Sequence, residues 1–147
     1  MNQMWDDIVY FHNKFKIPQS DLPSVELDGD LMDFRIKFLQ EEFDEFVDAV
    51  EIGDRVKAFD ALIDLVYVAM GTAYVCRFPW LLGWDVVQAA NVAKVRVEHE
   101  SESKRGSGYD VVKPEGWISP DRELGLIVDL YEAQLKRSQS RKPDEQL

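Results

Sequence analysis

The chain has a single cysteine among its 147 residues, so no disulfide can form within it. Cys76 lies in apolar surroundings and reads as a buried core thiol. Positive charge is also scarce. There are 17 Lys and Arg against 28 Asp and Glu, a net charge of −11. A nucleic-acid polymer is therefore excluded as the expected main ligand, because phosphate contacts need clustered Lys and Arg. A single nucleotide stays compatible, since a divalent metal can carry its phosphates. Residues 1–7 hold two acids, no base and no apolar stretch, so no signal peptide is read there. The longest apolar-rich run, Leu65 to Cys76, has 12 residues, too few to cross a bilayer. The expectation is a soluble cytoplasmic protein with no membrane partner.

What the chain does have is apolar material in helical spacing. Hydrophobic residues make up 46%, enough for a core. Ile8, Val9, Phe11 and Phe15 predict a first helix over 6–15, stopped by Pro18. Residues 19–30 read as a loop. Met32, Ile36, Leu39, Phe43, Phe46, Val47 and Val50 form one face of a second helix over 31–52, ended by Gly53. A third helix, 54–76, is apolar almost all round and is expected at the centre of a bundle. Arg77-Phe78-Pro79 breaks it, and a fourth helix follows over 84–97. Residues 98–109 read as a mobile loop and 110–118 as a short extended segment. Ser119 as N-cap and Pro120 at the first helical position open a last helix, ending near Leu135. The predicted fold is an all-α bundle of four to five helices, one domain over 1–136. A polar tail, 137–147, is expected to be disordered.

Acidic residues interrupt this apolar pattern at two places. Glu41-Glu42-Phe43-Asp44-Glu45 lies inside the second helix, and Asp60 and Asp64 lie inside the third. At about 100° per residue, Glu41 and Glu42 each share a side with Glu45, and Asp60 shares one with Asp64. Glu42 falls at the edge of the apolar face, beside Arg35 and Phe38. Asp64 is the only charge between Ala61 and Cys76. Antiparallel packing of the two helices would bring these groups together. Two carboxylates about 5 Å apart repel by roughly 3 kcal/mol at an effective dielectric of ~20. Four or five of them need a counter-charge, and an all-oxygen ligand set selects Mg²⁺, Mn²⁺ or Ca²⁺ over Zn²⁺. Asp44 and Asp48 point away from the core and read as a solvated face. Salt bridges from Arg55 or Lys57 are an alternative use of Asp60.

This order of elements resembles the all-α nucleoside triphosphate pyrophosphatase superfamily, whose shared signature is Glu-Glu-x-x-Glu on one helix and an acidic pair on the next. The first half matches at Glu41-Glu42-Phe43-Asp44-Glu45 and the second ends at Asp64. A later Asn-x-x-Lys matches as Asn91-Val92-Ala93-Lys94. Phe11 to Phe15, Gly71-Thr72-Ala73 and Lys113 to Trp117 resemble the MazG-like, phosphoribosyl-ATP-pyrophosphohydrolase-like branch. The family's acid three residues before the last Asp is Ala61 here. Asp60, one position earlier, shares the face of Asp64 and is expected to substitute.

The resemblance implies a Mg²⁺-dependent hydrolase, with Mn²⁺ as a possible substitute, that cleaves the α–β phosphate bond of a nucleoside triphosphate. It implies Glu42, Glu45 and Asp64 as metal ligands, with Asp60 as a further one. Glu41 is either another ligand or the base that activates water. Lys94 supplies a point charge for a phosphate, with Asn91 on the same helix face. Arg35 and Lys113 are candidate phosphate contacts. Phe38 and Phe11 are candidate stacking partners for a base, with core packing as the alternative. His12 reads as a surface or capping residue, and His99 has no assigned role. Phosphoribosyl-ATP is the alternative substrate. A non-enzymatic acidic inhibitor or DNA mimic and a structural metal-binding bundle are alternative classes. A homodimer or homotetramer is expected, because the third helix needs covering.

Overall fold

A computed structural model describes residues 3–141. It is all-α, with five α-helices among the described residues: α1 (Gln3–Lys14), α2 (Leu31–Glu51), α3 (Arg55–Val75), α4 (Trp80–Val92) and α5 (Asp121–Ser140). Two two-residue strands, β1 (Val95–Arg96) and β2 (Val111–Val112), accompany them. The chain divides into two compact units, Met1–Trp80 and Leu81–Leu147.

In the first unit, α2 and α3 pack antiparallel along most of their length. The link between them is tight because both ends are capped. Gly53 takes a left-handed φ of +71°, which glycine adopts without strain. Asp54 then accepts hydrogen bonds from the N–H groups of Val56 and Lys57, each at 3.0 Å, and so starts α3. The far end of α3 is held by the loop after α1. Ser20 and Ser24 donate backbone N–H bonds to the carbonyls of Val75 and Cys76 at 2.8 and 3.0 Å, satisfying groups the helix leaves unpaired. The core gathers Ile8 of α1 with Met70, Tyr74 and Val75 of α3, flanked by Trp5, Leu31 and Tyr67. Cys76 is buried, as its sequence context suggests, and burial pushes its thiol pKa up.

α3 departs from the expected central helix. Ala61, Val68, Ala73 and Val75 are buried, whereas Val56, Phe59, Leu62, Ile63 and Val66 are exposed in the single chain. Helix α3 is also long and apolar enough to cross a membrane, with a mean hydropathy of 1.4 over its best stretch, although no uninterrupted apolar run in it is that long. It carries Asp60 and Asp64 and packs against α2, as a core helix of a bundle does.

In the second unit, α4 begins four residues earlier than its predicted start and ends at Val92. Val95 and Val97 belong instead to an extended stretch, because β1 pairs antiparallel with β2, Val95 opposite Val112. The connecting loop is tied down at Asp110. Its carboxylate accepts from Ser103 Oγ and Arg105 Nη1, both at 2.7 Å, and its carbonyl accepts from the Val97 N–H at 3.1 Å. Trp117 Nε1 donates to the Ala90 carbonyl at 2.8 Å. The last helix begins at Asp121, one residue later than predicted, so that Pro120 and not Ser119 takes the N-cap position, and the Asp121 N–H donates to Ser119 Oγ at 3.4 Å. It continues to Ser140, past the predicted end near Leu135 and into the expected tail, where the Ser138 and Ser140 hydroxyls donate to the carbonyls of Gln134 and Arg137, each at 3.0 Å. Residues 142–147 of the expected tail lie outside the described residues.

Candidate active site

The antiparallel register sets the site. As residue number rises along α2 it falls along α3, so Arg35 meets Val68 and Thr72. Two turns further along α2, Glu42 lines a cavity of about 330 Å³ together with Asp64 of α3. Further along, Glu45 and Asp60 line the next depression, of about 580 Å³, together with Lys57. Glu42 and Asp64 thus share one depression between α2 and α3 and Glu45 and Asp60 another, whereas Glu41 lines neither. Ala61, between these acids on α3, is buried.

Glu42 is the most unusual of these groups. It is 7% exposed, and its Oε2 has no hydrogen-bond partner. Burial holds its carboxyl above the ordinary carboxylate range, and the charges of Asp64, Glu45, Glu41 and Asp60 push it in the same direction. A buried carboxylate with an orphan oxygen and four acids around it lacks a counter-charge. A divalent cation would supply one. The donor set is all oxygen, which suits Mg²⁺ or Mn²⁺. Glu41, Glu45, Asp60 and Asp64 are exposed and free to turn. Among the described residues no three acidic, His or Cys side chains already stand as a closed ligand cluster. The residues fit a cation that gathers its own ligands.

The cavity that holds Glu42 and Asp64 is otherwise mostly apolar. Phe11, Phe38 and Tyr67 wall it, with His12 and Arg35 beside them. Phe11 meets Tyr67 edge-on at 5.4 Å, and the Arg35 guanidinium lies 5.6 Å from the Phe38 ring centre. Both candidate stacking residues thus line the carboxylate cavity.

His12 corrects the reading of a surface residue. It is 1% exposed, with Nδ1 2.8 Å from the Ile8 carbonyl and Nε2 unpartnered. Desolvation lowers its pKa, the bond to Ile8 opposes this, and the Arg35 charge lowers it further. Arg35, His12 and Gly71 form a junction of three helices that the periodicity of any one helix cannot reveal. A glycine in the middle of an apolar helix was the available signal, since glycine is disfavoured there.

Asn91, Lys94 and Lys113 belong to the second unit. Lys94 Nζ donates to Asn91 Oδ1 at 2.9 Å, so the predicted pair is in contact. Lys94 and Lys113 both lie against the Trp117 ring, at 5.8 and 4.5 Å from its centre. Trp117 was not predicted as part of this group.

No curated protein matches the chain. The family model described as phosphoribosyl-ATP pyrophosphohydrolase matches residues 9–91, more than half of the chain, from α1 through every acid of the groove to Asn91. The chain therefore belongs to the phosphoribosyl-ATP pyrophosphohydrolase family, within the all-α nucleoside triphosphate pyrophosphatase superfamily.

Proposed function

We propose that this pyrophosphohydrolase-family protein is a Mg²⁺-dependent nucleotide pyrophosphohydrolase. It cleaves the α–β phosphate bond of a nucleoside triphosphate, giving a monophosphate and pyrophosphate. The observation that carries the reading is Glu42: a buried carboxylate with a free oxygen, set in one cavity with Asp64 and aromatic walls. Glu42, Glu45 and Asp64 would hold the cation, with Asp60 as a further ligand. The cation neutralises charge on the phosphates when bound. Glu41, exposed next to Glu42, accepts a proton from the attacking water or adds a ligand. Lys94, fixed by Asn91 and Trp117, and Lys113 on the same ring bind phosphate oxygens.

The family description favours a hydrolase over an acidic inhibitor, and phosphoribosyl-ATP is the second substrate reading. Release of pyrophosphate from a panel of nucleoside triphosphates and phosphoribosyl-ATP, with Mg²⁺ and with EDTA, tests both. Turnover of a triphosphate that stops in EDTA is expected. Undiminished turnover in EDTA, or none with any nucleotide, overturns the proposal. The exposed apolar faces of α2 (Phe43, Val50) and α3 (Phe59, Ile63, Val66) support a homo-oligomer, which light scattering would detect.

A further inference from the structure

Asp110 is a buried carboxylate at the end of a mostly exposed loop, residues 98–110. Its acceptors are spent on that loop and the strands it joins. Oδ2 accepts from Ser103 Oγ at 2.7 Å, and Oδ1 accepts from Arg105 Nη1 at 2.7 Å and from the Val111 N–H at 2.9 Å. Its carbonyl accepts from the Val97 N–H at 3.1 Å. The Ser103 bond holds the carboxyl below the ordinary range, aided by Val111 and Arg105, so the group is an anion at neutral pH. These contacts brace β1 and β2 at their loop end. The two strands have two residues each, and so short a ladder does not hold its register unaided.

The other end of the ladder carries cations. Val95 pairs with Val112, so Lys94 and Lys113 stand at the next position outward on each strand. Both ammonium groups lie against the Trp117 ring. A turn brings that ring back to them: the Trp117 N–H donates to the Pro114 carbonyl at 3.1 Å, with Gly116 at a left-handed φ of +76°. Lys94 has a structural reason to be here, because it follows the end of α4, where the helix dipole favours a cation. Lys113 comes from the other strand and serves no helix end. Neither lysine makes a salt bridge among the described residues, although the chain has 28 Asp and Glu. Glu115 and Glu123 line a cleft with Trp117, yet pair with neither lysine. Asn91 gives its side-chain oxygen to Lys94, which leaves its amide nitrogen as a donor. Two ammonium groups and an amide nitrogen form a donor-only set, which suits an anion with several acceptor oxygens.

Resting on the reading of Lys94 and Lys113 as phosphate contacts, we propose that Asp110 is a positioning residue for phosphate binding. By closing the loop it sets the strand register that brings Lys113 to Lys94 over Trp117. The sign of its effect separates this role from that of its charge. A carboxylate repels an anion, so loss of the Asp110 charge alone tightens phosphate binding. Loss of the register does the opposite, because the anion must then order a loose lysine chain.

Three variants and two readouts test this. Asp110→Ala removes the charge and the contacts. Asp110→Asn removes the charge and keeps the contacts, since the Ser103 hydroxyl can accept from the new amide as well as donate. Ser103→Ala changes no charge and removes one contact of the loop closure. Affinity for inorganic pyrophosphate is measured by titration calorimetry in EDTA at low ionic strength, and KM and kcat are measured with Mg²⁺ and a triphosphate that the wild type turns over. Asp110→Ala is expected to weaken pyrophosphate affinity and raise KM by about tenfold each, with kcat within about twofold. Ser103→Ala should act in the same direction by about threefold, and Asp110→Asn should stay within about twofold of the wild type in both readouts. If no nucleotide releases pyrophosphate, the hydrolase reading fails, and the titration alone judges Asp110. If Asp110→Ala does not fold, Ser103→Ala decides. Absence of pyrophosphate binding by the wild type, an unchanged Ser103→Ala, tighter binding by Asp110→Ala, or an equal loss in Asp110→Asn and Asp110→Ala overturns the proposal.

Discussion

Gly71 is the space that Arg35 occupies: a Cβ built on Gly71 would lie 2.8 Å from Arg35 Nη2 and 2.8 Å from His12 Cε1. Neither neighbour is free to retreat. Arg35 is clamped by Thr72 and Val68, and His12 by Ile8. Two opposing effects decide Gly71→Ala. Alanine gains up to about 1 kcal/mol of helix propensity, and overpacking costs about 1–3 kcal/mol. The expected net result is a lower melting temperature. Gly125, in α5, has nothing within 4 Å of its added Cβ. Gly125→Ala should therefore raise the melting temperature by a few degrees. Thermal melts of both variants check the opposite signs, and a stabilised Gly71→Ala would show that the three-helix junction is loose.

His12 gives the fold a sensitivity to mild acid. Its folded pKa lies below its ordinary value of 6.5, so between the two the unfolded chain binds a proton that the folded chain does not. Stability from this group is complete above pH 6.5 and is lost as pH falls below it, levelling off once the folded ring also protonates. The loss is at most about 1.4 kcal/mol per pH unit. His12→Gln cannot titrate. The difference between its urea midpoint and that of the wild type should shift as pH is lowered from neutrality, in the direction that weakens the wild type. A constant difference across this range would mean that His12 titrates alike in the folded and unfolded protein.

Lys94 carries a prediction that separates phosphate binding from metal binding. It belongs to neither carboxylate helix, and its ammonium is fixed by Asn91 and Trp117. Lys94→Ala should weaken nucleotide affinity about tenfold, by loss of one charge-assisted contact of roughly 1–2 kcal/mol. Mg²⁺ affinity without nucleotide should stay within about twofold. Titration calorimetry with each ligand measures both, and a collapse of Mg²⁺ affinity alone would reverse the assignment.

The helices and the acids of the groove were legible because both are periodic. The apolar residues of α2 from Met32 to Val50 repeat at helical spacing and reveal the helix, and Glu42 and Asp64 stand out by interrupting apolar runs, but the side that α2 buries in the single chain carries Arg35, Glu42 and Ala49, while Ile36, Phe43, Val47 and Val50 of the expected face are exposed. The end of α4 was misplaced for a physical reason. Val95 and Val97 fit a helix face and a strand equally well, and the strand won through pairing with residues 111–112, which lie far off in sequence. The start was misplaced because α4 begins at Trp80, directly after Pro79 and close to Arg77, which takes a φ of +56°. His12, Arg35 and Gly71 come from three different helices, so their junction has no local signature at all. Arg35 and Phe38 were legible as ligand contacts, but not the cavity that Arg35 shares with His12.

The sign of the stability change at Glu42 distinguishes a cation site from a structural carboxylate. In the metal-free protein Glu42 is buried without a partner for Oε2, with Asp64 and Glu45 repelling it. Glu42→Gln removes the charge and keeps the shape. It should leave the metal-free protein as stable as the wild type, or more stable by about 1 kcal/mol. Activity should fall by about a hundredfold or more, because loss of a ligand removes charge stabilisation of several kcal/mol from the transition state. Saturating Mg²⁺ should raise the wild-type melting temperature more than that of the variant, since binding to the folded state alone stabilises it by mass action. Glu45→Gln should behave alike in activity and in its response to Mg²⁺, with a smaller change in the metal-free melt because Glu45 is exposed. A structural carboxylate would behave in the opposite way. Removing it would strand a buried positive partner and cost roughly 3–5 kcal/mol. Melts of the three proteins in EDTA and in Mg²⁺ decide the matter. A large loss of stability for Glu42→Gln in EDTA, with no response of the wild type to Mg²⁺, would remove the cation from the groove.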